Sequence, residues 1–473
     1  MAEIQPVLLW TDLLLFGLLA CTVFAAWNAR RNEPMRSAWR RVGQSAVGMS
    51  ALTLLSLFLC VGFLDSLHYR ERLPATAELG VGAETRPLSS EVRSALDALA
   101  APLRNQVEKT YSAPLAYQLF AQQTVERPDG VQARDFPRLK FGGDHLQYPE
   151  ADHSGDVLGR VGIGLALAGL GWLLLAALLV VCVARHRGVP FGPAWRAVWR
   201  GRGGLAWRAV LLTLAAVMVV AGPVASLATA YHVFGTDKVG QDVLFLTLKS
   251  IRTALVIGTL TTLVTLPLAV VLGILAGYLG GWVDDAIQYT YTVLNSIPGV
   301  LLIAAAVLMM QVLIDTHPEW FETAADRADA RLLSLCLILG MTSWTGLCRL
   351  LRGETLKLRE LEYVQAAQAF GASTPVILSR HILPNLMHLV LIALVMDFSG
   401  LVLAEAVLSY VGIGVDPGTV SFGTMINAAR MELAREPMVW WSLIAAFIFM
   451  FGLVLAANVF ADVVRDAFDP RSI

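Results

Sequence analysis

The sequence predicts an all-α polytopic membrane protein with about nine transmembrane helices. Of its 473 residues, 56% are hydrophobic and only 15% are charged, a balance too apolar for a soluble globular chain of this length. The apolar residues also gather in long runs, and a membrane-spanning helix needs roughly 20 of them in succession. The lipid bilayer is therefore the expected solvent for most of the chain.

Nine runs have the length and composition of a membrane span. They cover residues 7–27, 45–64, 161–184, 210–231, 253–280, 287–314, 332–350, 387–411 and 439–464. Short loops rich in arginine stay on the cytoplasmic side, and such loops follow the first and third runs. Their arginines are Arg30, Arg31, Arg36, Arg40 and Arg41, then Arg185, Arg187, Arg196, Arg200 and Arg202. Counting spans from these loops places the N-terminus outside and the C-terminus in the cytoplasm.

The runs divide the sequence into four parts. Residues 1–64 hold two spans, residues 65–156 form a polar insert, residues 157–207 hold the third span and its basic loop, and residues 208–473 hold the rest. The insert falls on the outer side.

The apolar residues of the insert at 92, 96, 99, 103 and 107 recur at helical spacing behind Ser89 or Ser90, which predicts a helix. Glycines and prolines after residue 130 predict a looser stretch that includes β-structure. The insert is therefore expected to be small and helix-rich.

Composition also excludes several function classes. A net charge of -1 argues against a nucleic-acid partner. The five cysteines lie inside the predicted spans without metal-ligand spacing, so neither a metal site nor a disulfide framework is expected. No lysine follows a glycine, so the chain lacks a phosphate-binding GxxxxGK[ST] loop. We expect no enzyme activity, no cofactor and no catalytic residues in this chain.

The stretch between the seventh and eighth runs, residues 360–385, predicts a helix, a turn and a second helix. Its alanines favour a slim helix, Gly371 suits a left-handed C-terminal cap, and Thr374 before Pro375 suits the start of the next helix. Pro384 is expected to end that second helix.

This stretch resembles the EAA loop of ABC importer permeases, the helix that docks onto the ATPase subunit. The resemblance assigns ATPase coupling to Glu362, Tyr363, Ala366, Ala367, Ala369, Gly371, Arg380 and Pro384. Gln365 departs from the motif, which has a glutamate there. The segment Arg380 to Asn385 is similar to the peptide branch of these permeases.

Three further segments carry a resemblance to the same branch. Residues 232–242 resemble its HPFGTDxxGRD loop, with Val233 for proline and Gln241 for arginine. Residues 277–284 resemble its AGYFGGWVD segment, and residues 466–471 resemble its RDALDPR ending. The signature residues of the first segment, expected in a periplasmic loop, are Phe234, Gly235, Thr236, Asp237, Gly240 and Asp242. From about residue 210 onward the chain is similar to the C-type, second permease of the oligopeptide, dipeptide and nickel ABC importers.

The resemblance implies a permease subunit of an ATP-driven, binding-protein-dependent importer in the bacterial inner membrane. It would form the pathway for peptides or peptide-like solutes with a sister permease. Two ATP-binding ATPase subunits and a periplasmic solute-binding protein would complete the complex. ATP hydrolysis would belong to the separate ATPase subunits.

Polar and small residues inside the spans are the remaining candidates. Gly273 and Gly277 form a small-xxx-small pair that allows close helix packing. Asn295 and Pro298 interrupt the sixth run and are candidates for lining the pathway. Asp397 and Glu405 lie in the eighth run, where a charge costs at least about 2.5 kcal/mol and marks either a pathway or a buried structural bond.

Two alternatives use other features of the same chain. Asp397 and Glu405 would serve a secondary transporter or channel as an ion relay. A membrane scaffold or sensor would instead be built on the insert. Function without an ATPase partner would favour either alternative over the importer.

Overall fold

The structure is a computed structural model that describes residues 4–29, 33–72, 89, 91–126, 132–201, 204–416 and 418–468. Some predicted features lie outside these residues: Arg30, Arg31, Ser90, Arg202 and the end of the C-terminal motif at Asp469, Pro470 and Arg471. The chain forms two compact units. Unit 1 comprises Met1–Val7, Trp39–Thr253 and Val420–Phe460, and unit 2 comprises Leu8–Ala38, Ala254–Thr419 and Ala461–Ile473.

The predicted membrane architecture is confirmed. Eight helices in the described part of the chain are long and apolar enough to cross a bilayer. They are Ala46–Asp65, Pro149–Arg187, Trp207–Leu227, Val243–Leu279, Gly299–Thr316, Ala324–Arg359, Thr374–Val411 and Trp441–Phe468. A shorter apolar segment, Trp10–Thr22, lies in the first predicted run.

The N-terminal part begins with a strand rather than a helix. In chain order the elements are β1 (Ile4–Val7), α1 (Trp10–Ala29), α2 (Glu33–Gln44) and α3 (Ala46–Asp65). The prediction that the first span starts at residue 7 is wrong, because Val7 pairs with His68 of the insert in an antiparallel ladder. Backbone groups that serve this ladder cannot also serve a helix.

Between α3 and α6, residues 66–148 of the insert contain short strands and short helices among the described residues. Its elements are β2 (His68–Glu71), β3 (Arg93–Ser94), α4 (Ala95–Leu99), α5 (Ala101–Asn105), β4 (Gln123–Glu126) and β5 (Gln132–Asp135). The single helix predicted over residues 92–107 behind Ser89 or Ser90 is two short helices, and neither begins at those serines. Ser94 and Asp97 form a capping box that starts α4, and Pro102 opens α5 as a separate helix because proline suits a first turn. The antiparallel β4–β5 pair matches the β-structure expected after residue 130.

Long helices make up the rest of the chain. They begin with α6 (Pro149–Arg187), α7 (Phe191–Trp199), α8 (Trp207–Leu227) and α9 (Val243–Leu279). In unit 1, α6 and α8 approach so closely that a Cβ on Gly164 would lie 2.6 Å from the carbonyl oxygen of Gly222. Glycine is required at this crossing because no side chain fits between the two backbones.

The sixth predicted run is two helices, not one. The next elements are α10 (Gly281–Ser296), α11 (Gly299–Thr316), α12 (Ala324–Ser343) and α13 (Thr345–Arg359). Ile297 is extended, with ψ at 132°, because the residue before a proline disfavours the helical conformation. Pro298 therefore separates α10 from α11, and only α11 is long and apolar enough to span.

The C-terminal elements surround the predicted coupling stretch. They are α14 (Glu362–Ala369), α15 (Thr374–Ile377), a π-turn (Leu378–Ile382), α16 (Leu383–Val411), α17 (Phe422–Leu433) and α18 (Trp441–Phe468). The core of unit 2 lies where α9, α13 and α16 meet, and Leu351 and Ile382 are fully buried in it.

Candidate functional site

The short helix α14 is fixed to unit 2 by one side of its surface. Val364 is 1% exposed and packs in the same apolar cluster as Ile377 and Ile382. Ala367, one turn along the helix, is partly buried against this cluster. Residues three and four apart share a helix face, so these two positions define the side of α14 that is held.

The opposite side of α14 is exposed. Glu362, Tyr363, Ala366 and Ala369 are exposed. Phe370, which follows the last turn, is 91% exposed. A large aromatic side chain in water beside alanines is a surface suited to contact with another protein.

Gly371 closes α14 with a left-handed cap. Its φ is +79°, its N–H donates to the Gln368 carbonyl at 3.0 Å, and the N–H of Ala372 donates to the Ala367 carbonyl at 3.1 Å. This is the pattern of a Schellman motif. Nothing lies within 4 Å of a Cβ added at Gly371, so the backbone conformation, rather than lack of space, requires glycine.

The second helix of the stretch differs from the prediction at both ends. Its N-cap is Ser373 rather than Thr374, and Pro375 is its second residue. Pro384 does not end it, because the chain passes through the π-turn into the first turn of α16, where Pro384 lies. The N–H of Leu383 donates to the Leu378 carbonyl, and this wider turn relieves the clash that a proline ring makes with the preceding helical turn. Arg380 is exposed within the π-turn.

Two residues missing from the sequence-predicted site join α14 to α16. The Asn385 side-chain amide donates to Tyr363 Oη at 3.0 Å and to the His381 carbonyl at 2.6 Å. The rings of Tyr363 and His381 lie 6.2 Å apart. Both residues lie within the Arg380 to Asn385 motif, which is the signal that the sequence offers, although it gives no way to pair Asn385 with Tyr363.

Gln365, the departure from the motif, donates from Nε2 to the Glu360 carbonyl at 3.3 Å. A glutamate could not donate this bond, since a carboxylate only accepts. The Gln365 amide thus bonds to the backbone just before α14. Glu362 is the acidic residue on the exposed side of this helix.

Helix α13, which leads into α14, is braced by its neighbours in unit 2. A Cβ on Gly273 would lie 2.8 Å from the Cys348 carbonyl, and one on Gly277 would lie 2.6 Å from Thr355 Cβ, so α9 packs directly on α13. Arg352 makes a two-point ion pair with Asp284 of α10, with Nη2 to Oδ2 at 2.7 Å. Bidentate pairs of this kind fix geometry as well as charge.

The predicted residues at the end of α10 lie near the start of α13. Asn295 Oδ1 accepts a hydrogen bond from Thr345 Oγ1 at 3.1 Å. Pro298 is exposed at the start of α11. The structure therefore connects Asn295 to the brace around α13 and leaves Pro298 at the surface of this chain.

The two acidic residues of α16 lie in different environments. Glu405 is 1% exposed and accepts a bond from Ser409 Oγ at 2.6 Å, and the same hydroxyl accepts from the Val415 N–H at 3.4 Å. Glu405 thus supports the turn that follows α16. Asp397 is half-buried, and among the described residues it has no hydrogen-bond or ion-pair partner.

The predicted signature loop, residues 232–242, lies in unit 1 and is held by hydrogen bonds to its own side chains. Asp242 Oδ1 accepts from the Leu244 N–H at 2.8 Å and so caps α9, while its Oδ2 lies 2.7 Å from His232 Nδ1. Asp237 Oδ1 accepts from the N–H groups of Val239 and Gln241. Phe234 lies edge-on to Phe449 at 6.2 Å. The loop is therefore folded tightly around its own two aspartates.

Glu108 of the insert brings a second carboxylate to His232. Its Oε1 lies 3.6 Å from His232 Nε2, which is longer than a hydrogen bond, so the two groups interact by charge. Glu108 also accepts from the N–H groups of Lys140, Phe141 and Gly142. Glu108, His232 and Asp242 are 6%, 1% and 1% exposed.

The charges in this centre reinforce one another. Burial by itself opposes ionisation, but His232 and the three backbone N–H groups lower the pKa of Glu108 to about 2. Burial likewise opposes a charged imidazole, yet the two carboxylates raise the pKa of His232 to about 9. His232 is therefore an imidazolium at neutral pH, held between two carboxylates.

No group of histidine, cysteine and acidic residues in the described part of the chain has the geometry to hold a metal ion. Each unit has its own candidate feature: unit 2 has an exposed helix on a braced apolar core, and unit 1 has a buried charged centre.

Comparison with known proteins connects these features to transport. A family model described as binding-protein-dependent transport system inner membrane component matches residues 269–473. The chain is 32% identical over 241 residues to the dipeptide transport system permease protein DppC of Lactococcus lactis subsp. cremoris, covering 51% of this chain and 64% of that relative. It is also 32% identical over 241 residues to the oligopeptide transport system permease protein OppC of Mycobacterium tuberculosis, covering 76% of that relative. The glutathione transport system permease protein GsiD of Pectobacterium atrosepticum is 32% identical over 240 residues, covering 73% of its length.

Proposed function

The chain belongs to the binding-protein-dependent transport system inner membrane components, and we propose that it is the permease subunit of an ATP-driven importer of peptides or peptide-like solutes. Its relatives are permease proteins of dipeptide, oligopeptide and glutathione transport systems. Such subunits conduct solute and are not enzymes, so the chain is a multi-pass inner-membrane transport subunit.

The observation that carries the proposal is the presentation of α14. One side is fixed to the core by Val364, and the other presents small residues and the 91% exposed Phe370. A helix held in this way can enter a cleft on an ATPase subunit and pass its movement to α13 and α16. Two ATPase subunits, a sister permease and a periplasmic solute-binding protein are the partners we propose. ATP-driven closure of the ATPases would then switch the pathway between inward and outward access.

The proposed orientation has the N-terminus and the insert outside and α14 in the cytoplasm. Contacts between loops agree with the parity of the spans, since β1 before the first span pairs with β2 after the second. At the ends of the helices that hold the fifth and seventh predicted runs, Arg359 Nη1 donates to the Tyr278 carbonyl at 3.4 Å. Labelling intact cells with a membrane-impermeant maleimide tests the direction: Lys109→Cys should react and Phe370→Cys should not. The reverse pattern would invert the topology.

Docking of the ATPase is tested by enlarging the exposed side of α14. Ala366→Arg places a long charged side chain on that side without disturbing Val364, so a tagged permease should lose its ATPase partner on purification. Ala151→Arg is the matched control, because Ala151 is an exposed alanine in the first turn of α6, on the opposite proposed side. Retention of the ATPase by Ala366→Arg would contradict docking through α14.

Solute class is tested with alanyl peptides of two to six residues in proteoliposomes that contain the complete transporter. Uptake is expected only with ATP and binding protein present. ATP-independent uptake that disappears in Asp397→Asn would instead support the secondary-transporter alternative. Glu405 is less suited to that role because it is engaged with Ser409.

A further inference from the structure

The insert is joined to two loops of unit 1 through one short stretch of its chain. We call this contact the insert anchor: residues 108–120 of the insert, residues 232–242 before α9, and residues 432–441, which connect the end of α17 to the start of α18. Three backbone–backbone hydrogen bonds join the insert to the first loop. They run from the Glu108 N–H to the Gly240 carbonyl at 2.9 Å, from the Thr236 N–H to the Ser112 carbonyl at 3.1 Å and from the Leu115 N–H to the His232 carbonyl at 2.9 Å. The backbone of the insert is thus hydrogen-bonded to the backbone of the loop at three points.

Two glycines of the signature loop leave room only for the insert backbone. Gly235 has φ +69° and Gly240 has φ +80°, a conformation that other residues rarely adopt. A Cβ on Gly240 would overlap the Glu108 carbonyl, and one on Gly235 would overlap the Ser112 carbonyl. Both glycines therefore serve the contact as well as the turn.

The second loop is held through aromatic side chains. Tyr111 Oη donates to Glu432 Oε1 at 3.3 Å, and the Arg435 guanidinium lies 4.9 Å from the Tyr111 ring centre. Phe120 packs edge-on against Trp441 at 4.8 Å, and Trp441 Nε1 donates to the Thr236 carbonyl at 3.0 Å. Trp441 is the first residue of α18, so the insert reaches the starts of both α9 and α18.

We propose that the insert is a permanent clamp that keeps the starts of α9 and α18 together throughout the transport cycle, with Glu108 and His232 as its positioning residues. The inference rests on the proposed function, because only a transport cycle would ask these helix ends to separate. A lid that opened in each cycle would have to break the backbone bonds and aromatic contacts together and expose a buried centre of three charges. A permanent clamp keeps all of them.

A reversible crosslink separates the clamp from a lid. Ser112 and Thr236 are suitable positions, because their hydroxyl oxygens lie 3.1 Å apart. Cysteine sulfurs at these places would have to approach by only about 1 Å to reach the disulfide S–S distance of about 2.05 Å. Exposed Cys21, Cys60 and Cys182 would first be replaced by serine, leaving buried Cys336 and Cys348 in place. For the S112C/T236C permease in the complete transporter, ATP-driven uptake of alanyl peptides should be equal before and after oxidation. Loss of uptake on oxidation, restored by reductant, would overturn the clamp.

The positioning role is tested by rescue. Glu108→Gln should lower uptake several-fold, because it removes a charge from His232 and places an amide donor against backbone donors. The oxidised S112C/T236C disulfide in the same variant should restore uptake, since it replaces the lost attachment. A Glu108→Gln defect that the disulfide leaves unchanged would contradict a positioning role.

A second measurement does not depend on the solute. Spin labels on exposed Lys109→Cys and Lys238→Cys report the distance across the anchor by dipolar broadening. The broadening should be the same in nucleotide-free and ATP-trapped transporter, whereas its loss in either state would overturn the clamp. If peptides are not taken up by the unmodified transporter, the proposed solute class fails while this distance still decides the clamp.

Discussion

Helix α14 and the insert are both short segments attached to long helices, and they differ in what attaches them. α14 is held by apolar side chains, with Val364 buried in a cluster that includes Ile377 and Ile382. The insert is held by backbone hydrogen bonds and by the buried charges of Glu108 and His232. Apolar attachment uses one side of a helix and leaves the other free for a partner. Attachment by polar groups uses those groups in bonds to the rest of the unit, so they are not available to a partner.

The two kinds of attachment also differ in their response to damage. Burying a valine side chain contributes about 1.5–3 kcal/mol, and its loss is graded with size. Removing one member of a buried charge centre costs about 3–5 kcal/mol, because the remaining charge stays without compensation. A single substitution in the charged centre should therefore weaken attachment of the insert strongly, whereas substitutions at Val364 should weaken attachment of α14 in proportion to the side-chain volume removed.

The largest effect is expected for Glu108→Gln, at about 3–5 kcal/mol against attachment of the insert. Limited proteolysis of the insert in membrane vesicles measures this. Glu91→Gln is the matched control, because Glu91 pairs with Arg93 and Arg104 at the surface and such pairs contribute up to about 1 kcal/mol. Equal protease sensitivity of the two variants would remove the contrast between buried and exposed charge.

Attachment of the insert should also depend on pH in a defined direction. The raised pKa of His232, about 9, adds stability that is complete below its ordinary value of 6.5 and is lost as the pH rises through 9. The lowered pKa of Glu108, about 2, adds stability that is complete above its ordinary value of 4.5 and is lost as the pH falls toward 2. Glu108 and Asp242 are the charged groups facing His232 in the described residues. Protease protection should be highest near pH 5–6 and decline toward pH 9, and His232→Gln should abolish the alkaline decline.

On the α14 side, Val364→Ala should cost about 2 kcal/mol through lost burial and the cavity left behind. The variant should still bind the ATPase but couple it poorly, so the ratio of peptide taken up to ATP hydrolysed should fall. Val376→Ala is the control, because Val376 on α15 is 38% exposed. A fall of the same size in both variants would mean that burial of Val364 does not determine coupling.

The smallest effect is expected at Gly371. Alanine in the left-handed conformation costs about 1–2 kcal/mol, whereas asparagine tolerates it better and the site has open space. Gly371→Ala should therefore reduce ATP-driven uptake modestly, and Gly371→Asn should reduce it less. If asparagine were the more harmful, the side chain rather than the backbone would be responsible.

The sequence predicted the spans and α14 because the signals for both are local. Apolar runs define membrane helices, and the alanines and Gly371 define a short capped helix within a few residues. It failed in the insert, where Ser94 and Pro102 override an apparent helical repeat. Around Pro298 the sequence predicts an interruption within one helix, whereas the structure has two helices there.

The anchor was beyond sequence reasoning for a different reason. Glu108 and His232 lie in separate parts of the chain, and neither has a local pattern that indicates its partner. The sequence of the signature loop identifies the loop, but nothing in it indicates that Gly235 and Gly240 also accommodate the insert backbone.

The π-turn between α15 and α16 adjusts the phase of a continuous helical rod. Buried positions Ile382, Leu386 and Val390 follow one another at intervals of four residues, whereas Ile377 precedes Ile382 by five. One additional residue advances an α-helix by about 100°, which would rotate Ile377 away from the core if the turn were regular. The π-turn absorbs that residue, so both ends of the rod face the same core. Deleting one residue from 378–382 should therefore leave a regular α-helix in which Ile377 still faces the core, whereas inserting one residue there should rotate Ile377 away from it.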